Sequence, residues 1–130
     1  MKSEEKMKRI MIFFVLVFCF FSCNVDVESA KGTLIVSNNS DETFTITEVF
    51  VKERYDSGYH LIYTGEIING KSEFLLLDYG EYSVKISVLE NKADVYTKKH
   101  TYETGYNVYE KITASLEADV FFDGNGIYFN

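Results

Sequence analysis

The sequence predicts an all-β fold, an antiparallel two-sheet sandwich of about seven strands. Three observations predict it. Residues 81–89 alternate strictly, with Tyr82, Val84, Ile86 and Val88 in one phase and Ser83, Lys85 and Ser87 in the other. Turn-forming clusters (Asn38-Asn39-Ser40-Asp41, Ile68-Asn69-Gly70-Lys71, Asp123-Gly124-Asn125-Gly126) punctuate short β-branched and aromatic runs. No segment keeps helical spacing over three turns.

The elements follow in order. Thr33-Leu34-Ile35-Val36-Ser37 is the first strand, closed by the cluster at 38–41. Asn38-Asn39-Ser40 matches a glycosylation sequon, but turn chemistry is the stronger reading of these residues. The second strand runs from Thr43 to Lys52. Phe44 and Ile46 share one phase, Val49 and Val51 the other. One extra residue around Thr47-Glu48 reverses the alternation, so a β-bulge there is expected to bring both pairs to the core.

A polar loop, Glu53 to Gly58, leads to the third strand, Tyr59 to Ile67. The Ile68–Lys71 turn leads to the fourth, Ser72 to Leu77, with Phe74 and Leu76 in phase. Glu81 to Leu89 is the fifth, and Glu90-Asn91-Lys92 is expected to turn the chain. Ala93 to Tyr102 is a polar strand suited to an edge, where its lysines oppose edge-to-edge association. After a break at Thr104-Gly105, Tyr106, Val108, Ile112, Ala114 and Leu116 share a phase and suggest another strand. Phe121-Phe122 and Ile127-Tyr128-Phe129 flank the last cluster as a closing hairpin.

The first 31 residues read differently. Lys2, Lys6, Lys8 and Arg9 precede an uncharged apolar run of 12 residues, Ile10 to Phe21, and then Ser22 and Cys23. A basic opening, an apolar run of this length and a small residue are the parts of a secretory signal. As a helix the run rises about 18 Å, short of the roughly 30 Å of a bilayer core. Met7-Lys8-Arg9 offers a second start that omits Glu4 and Glu5. Phe20-Phe21-Ser22-Cys23 resembles the bacterial lipobox, in which a lipoprotein signal peptidase cuts before a lipidated cysteine. The resemblance implies a signal peptide at 1–22, an acylated, palmitate-type Cys23 followed by a polar tether to Lys31, and a folded domain over 32–130. It implies lipid anchoring in a bacterial cell envelope, on its periplasmic or its surface side.

Cysteine arithmetic agrees. Cys19 leaves with the leader, so Cys23 is the lone thiol of the remaining 108 residues and no internal disulfide is possible. The leader holds four basic and two acidic residues of the chain's 13 and 20, which leaves nine and 18 and a formal charge of −9. So acidic a chain is a poor partner for nucleic acid or anionic headgroups. Membrane attachment must come from acyl chains. One domain of this length can build a core without staples.

Leu77-Asp78-Tyr79-Gly80-Glu81-Tyr82-Ser83-Val84 resembles the Leu-x-x-Gly-x-Tyr-x-Val corner of prealbumin-like, carboxypeptidase-regulatory-like and fibronectin-like sandwiches. The resemblance implies an Ig-like or prealbumin-like arrangement. Gly80 is expected to let the chain turn sharply between sheets, and Tyr82 to bury its ring while its hydroxyl finds a backbone partner.

Chemistry-bearing patterns are sparse. Asp119, Asp123 and Asn125 superficially suit Ca²⁺, but the Gly and bidentate Glu of a calcium loop are missing, and Asp-Gly and Asn-Gly are hairpin residues. His60 and His100 fall short of a zinc ligand set. No nucleophile elbow, phosphate loop or metalloprotease motif occurs. The reading is therefore non-enzymatic, with no catalytic residue, metal or cofactor assigned. All ten tyrosines lie after the leader; they suit sheet pairing first and recognition second. Tyr96, His100 and Tyr102 share one face of the polar strand and are the candidate exposed ligand patch. The expected function is a lipid-anchored module binding an envelope protein or a glycan. The alternative is a structural or assembly lipoprotein acting as spacer or subunit. A contiguous apolar-aromatic surface would favour the first, a charged and patch-free one the second.

Overall fold

Period-two alternation with turn residues between the runs produces strands and nothing else: among the described residues there is no helix. The computed structural model describes residues 30–92, 96–105 and 107–130. The leader, Cys23 and the tether up to residue 29 lie outside them.

Among the described residues nine strands form: β1 (Lys31–Asn38), β2 (Phe44–Glu53), β3 (His60–Ile67), β4 (Ser72–Asp78), β5 (Gly80–Lys92), β6 (Tyr96–Glu103), β7 (Glu110–Ile112), β8 (Ala118–Phe122) and β9 (Ile127–Phe129). One sheet has the order β4-β1-β8-β9; the other has β3-β2-β5-β6, with β7 also paired to β5. The count exceeds seven because the run after Gly105 and both arms of the closing hairpin each form a strand of their own, as the elements named one by one already imply.

Pairing is antiparallel except between β1 and β8, which are parallel. That pair departs from the wholly antiparallel expectation because the chain returns from the second sheet and enters β8 at the end where β1 begins, Leu34 facing Ala118.

The second strand carries the expected bulge: both its pairings shift register between Ile46 and Glu48. The shift lets Ile46, Val49 and Val51 all reach the core, with Phe44 packed against it. Strict alternation in β5 buries Tyr82, Val84, Ile86 and Val88 against Leu34, Val36, Val120 and Phe122 of the other sheet. Ser83 and Ser87 point the opposite way yet are also buried, because side chains lie over the outer face of this sheet too.

Two expected boundaries fail. Glu90–Lys92 continues β5 rather than turning, since Glu90, Asn91 and Lys92 pair with Lys98, Thr97 and Tyr96 of β6. The strand expected over 106–116 shrinks to Glu110–Ile112. Ile112 is buried, whereas Val108 and Leu116 are exposed. A shared phase there reflects composition, because only three residues find a partner on β5.

The corner forms as its residues suggest. The chain leaves the first sheet at Asp78 and enters the second at Gly80. The Tyr82 ring is buried, and its hydroxyl donates to the Asp78 carbonyl at 2.7 Å. Gly80 serves a different purpose from the expected one. Its φ is not positive, but a Cβ there would lie 3.1 Å from Glu53 Oε1 and 3.3 Å from the Tyr82 ring. Space, more than backbone freedom, favours glycine at 80.

Asn38 closes the opposite end. Its side chain is fully buried and spans the two sheets. Nδ2 donates to the Phe44 carbonyl (3.0 Å) and the Ile67 carbonyl (2.9 Å), and Oδ1 accepts from the Ser40 amide and hydroxyl. The sequon asparagine is thus consumed by the fold.

Candidate functional site

Three surfaces emerge from these elements. The first contains the polar-strand residues singled out from sequence. Val88 faces His100 and Ile86 faces Tyr102 in the β5–β6 register, so both rings lie on the inner face of the sheet, at the rim of the core. Tyr102 packs on Phe122 (centroids 4.9 Å apart), His100 stands 6.5 Å from Phe44, and Phe44 meets Phe122 edge-on at 5.6 Å. The expected exposed patch is therefore a half-buried aromatic rim. Sequence gave the shared face of these residues but not its direction. Tyr96 pairs with Lys92 through the backbone of β6; its side chain lies outside the described residues.

His100 Nε2 lies 2.7 Å from Glu90 Oε2, and both side chains are largely covered. Burial raises the Tyr102 hydroxyl above the usual tyrosine range, and the charges of Glu90 and Asp123 push the same way. A carboxylate orienting an imidazole is half of a general-base arrangement. Among the described residues no serine, threonine or cysteine side chain is bonded to this imidazole.

The second surface is a cleft of about 120 Å³ on the outer face of the β3-β2-β5-β6 sheet, lined by Lys52, Tyr59, Ser83, Glu103, Thr104 and Tyr109, among others. Thr104 anchors its floor: its amide donates to the Val84 carbonyl at 2.9 Å and its hydroxyl accepts from the Val84 amide at 3.1 Å. Burial raises the Tyr59 hydroxyl above its ordinary range, opposed by a hydrogen bond from Ser83. Lys85 Nζ sits 4.6 Å from the Phe50 ring centre and 4.8 Å from that of Tyr59, a cation–π pair beside the cleft. Ligand pockets for whole small molecules run about 300–1,000 Å³. This cleft falls below that range and is of a size for a side chain or a hydroxyl group.

The third surface is the outer face of the β4-β1-β8-β9 sheet. Phe74 and Leu76 share a phase, as the sequence indicates, but point to solvent, 67% and 70% exposed. Ile35 lies opposite Phe74 and Thr33 opposite Leu76; Phe121 lies opposite Ser37 and stacks obliquely on Tyr128 at 5.7 Å. Leu75 and Leu77 take the core side of β4 instead. Sequence reasoning missed this face because four consecutive apolar residues, Phe74 to Leu77, leave their phase undecided. The buried phase of β1, set by Leu34 and Val36, chooses it.

Among the described residues no group of three His, Cys, Asp or Glu side chains converges as a metal site. Asp123 Oδ1 accepts from the Asn125 and Gly126 amides at 2.8 and 2.9 Å, which is turn chemistry. Nor does any described helix have the length and apolarity to cross a membrane. Comparison with family models, with curated proteins and with solved structures finds no match to this chain.

Proposed function

We propose that this chain is a non-catalytic, lipid-anchored module of a bacterial cell envelope, whose domain has an Ig-like or prealbumin-like sandwich and binds a protein partner. The outer face of the β4-β1-β8-β9 sheet is the observation that carries the binding reading. Phe74, Leu76 and Tyr128 are exposed on this face; Ile35 lies beside Phe74 and Phe121 beside Tyr128, with Ser37 and Asp119 between the two groups. Soluble domains ordinarily scatter such residues singly, and large apolar side chains grouped on one exposed face support an interaction surface. The preponderance of aliphatic and phenyl groups suits a protein surface better than a glycan, which takes hydrogen-bonding groups around one or two stacking rings. A spacer has no use for this patch.

The anchor reading is supported by the leader and by the position of Cys23, eight residues before β1 begins at Lys31. An extended tether of that length reaches at most about 29 Å. The domain would therefore stay close to the bilayer, with two or more acyl chains holding it there.

Two experiments test this. Metabolic labelling with an alkyne palmitate should tag the wild-type chain and not Cys23→Ser; equal labelling refutes the anchor. A photo-crosslinking residue at Leu76 or Tyr128, in intact cells, should capture a discrete partner, while the same residue at Lys98 on β6 should not. Equal capture from both positions refutes the assigned face.

A further inference from the structure

From the make-up of the cleft beside Thr104 we infer that it is a site for a neutral sugar, with hydroxyls of one ring inside it and the ring itself at its mouth against Tyr109. The cleft lies on the other sheet from the face proposed above for a protein partner. This inference therefore rests neither on that reading nor on the anchor.

The cleft exists because β5 changes partners. Strand β6 pairs with residues 85–92 of β5, and β7 pairs with residues 80–82. Ser83 and Val84 fall between the two pairings. Thr104 fills the gap, bonding to Val84 through both its amide and its hydroxyl. The β6–β7 connection contributes Asn107 and Tyr109 to the lining, beside Lys52 of β2, Ser83 of β5 and Glu103 of β6. Asn107 holds a left-handed φ of 61°, and the Val108 amide donates to the Gly105 carbonyl at 3.0 Å. A hydrogen-bonded turn thus presents the Asn107 side chain in a conformation that asparagine tolerates better than most residues.

The walls are ordered by their own contacts. Ser83 and Thr104 are both buried. The Ser83 hydroxyl donates to the Tyr59 hydroxyl at 3.3 Å, and Tyr59 is hydrogen-bonded in turn to the Glu103 carboxylate. Lys85 sits against the Tyr59 ring. Arg54, paired with Glu81 at 3.0 Å, stands 6.0 Å from the centre of the Tyr109 ring. Side chains already held in place lose less freedom when a ligand binds.

Charge selects the class of ligand. Lys52 and Glu103 bring one charge of each sign to the lining, and neither joins an ion pair with another described residue. An anion meets Glu103. A cation meets Lys52 and finds the Tyr59 ring already holding Lys85. An apolar side chain would cover these polar groups without bonding to them, which is costly. A hydroxyl both donates and accepts, whereas the lysine only donates, the carboxylate only accepts and the asparagine amide does both. Hydroxyls of one sugar ring satisfy all three together. The apolar face of the ring then matches an aromatic side chain. A volume of about 120 Å³ takes the hydroxyls and leaves most of the ring outside.

The test uses the full chain, isolated from expressing cells in a detergent without a sugar headgroup. The probes are the methyl glycosides of glucose, galactose and mannose, read by saturation-transfer NMR from the protein to the sugar. A hexose has about 12 non-hydrogen atoms, so ordinary ligand efficiency gives a Kd of about 1–10 mM. At least one probe should saturate in that range. Tyr109→Ala and Glu103→Ala should each weaken it about fivefold or more, through a lost stacking ring and a lost acceptor. Tyr79→Ala, at an exposed tyrosine outside the cleft, should leave it unchanged. Glu103 is exposed, so its variant decides the matter if Tyr109→Ala fails to fold, as circular dichroism would show. Acetate and methylammonium, small ions of either sign, should not displace the sugar. No saturable transfer to any of the three sugars, undiminished binding by Glu103→Ala, an equal loss in Tyr79→Ala, or displacement by either ion overturns the inference. None of these readouts involves a protein partner or acylation, so its failure leaves those readings standing.

Discussion

Replacing Asn38 with alanine tests how the two sheets are joined. The Asn38 amide donates to carbonyls of Phe44 and Ile67 in the sheet opposite its own strand, and its oxygen holds the Ser40 turn. Alanine removes both donors. The Ile67 carbonyl bond is buried, so its acceptor loses a partner without gaining water; the Phe44 bond is partly buried and recovers some hydration. A buried acceptor left without its donor costs about 1–3 kcal/mol. Counting Ile67 in full and Phe44 in part gives about 2–4 kcal/mol, a large share of the roughly 5–15 kcal/mol of a typical domain. For a domain near 100 residues this lowers Tm by about 10–20 °C. Asn38→Asp keeps the shape and the acceptor but turns a carboxylate towards two carbonyl oxygens, so at neutral pH it should be worse than alanine. Acid should narrow the gap, since a protonated Asp can donate once. The assay is thermal and urea unfolding by circular dichroism on the chain from Asn24 onward. An alanine variant melting within about 3 °C of wild type, under 1 kcal/mol, would show that the sheets do not depend on this side chain.

Other outcomes follow from the same structure. Tyr82→Phe loses only the bond to the Asp78 carbonyl and should cost about 1 kcal/mol in urea unfolding; Gly80→Ala should cost more, because its Cβ would press on Glu53 and the Tyr82 ring. Asp41, Glu48 and Asp56 are held below their ordinary carboxylate range by hydrogen bonds from Thr43, Lys99 and His60 respectively. The unfolded chain then binds more protons in acid. Tm should stay level above the ordinary carboxylate range, about pH 4, and fall as pH drops below it. Tyr59, Tyr82 and Tyr102 are raised by burial, so the native state keeps protons that the unfolded chain has lost. Stability should decline as pH rises past about 10, and ultraviolet titration of the folded chain should show these phenols ionising after the exposed ones. A single tyrosine transition at the ordinary value contradicts that burial. Gly124, at φ +95°, should tolerate alanine poorly, losing about 1 kcal/mol or more.

What the sequence determined by itself is local. Alternation in 81–89 fixed a strand and its buried phase, because a period of two leaves one face apolar whichever strand pairs with it. The phase reversal between Ile46 and Val49 located a bulge, and Leu77–Val84 located a corner with its buried tyrosine. Those features need only near neighbours. Tertiary structure decided everything that depends on which strand lies alongside. It turned His100 and Tyr102 inward by setting them opposite Val88 and Ile86. It carried β5 through Lys92 because β6 offered partners, and limited β7 to three residues because β5 had no more room. It also sent Phe74 and Leu76 to solvent rather than to the core. A four-residue apolar run satisfies either phase equally well, and only the buried side of β1 breaks the tie.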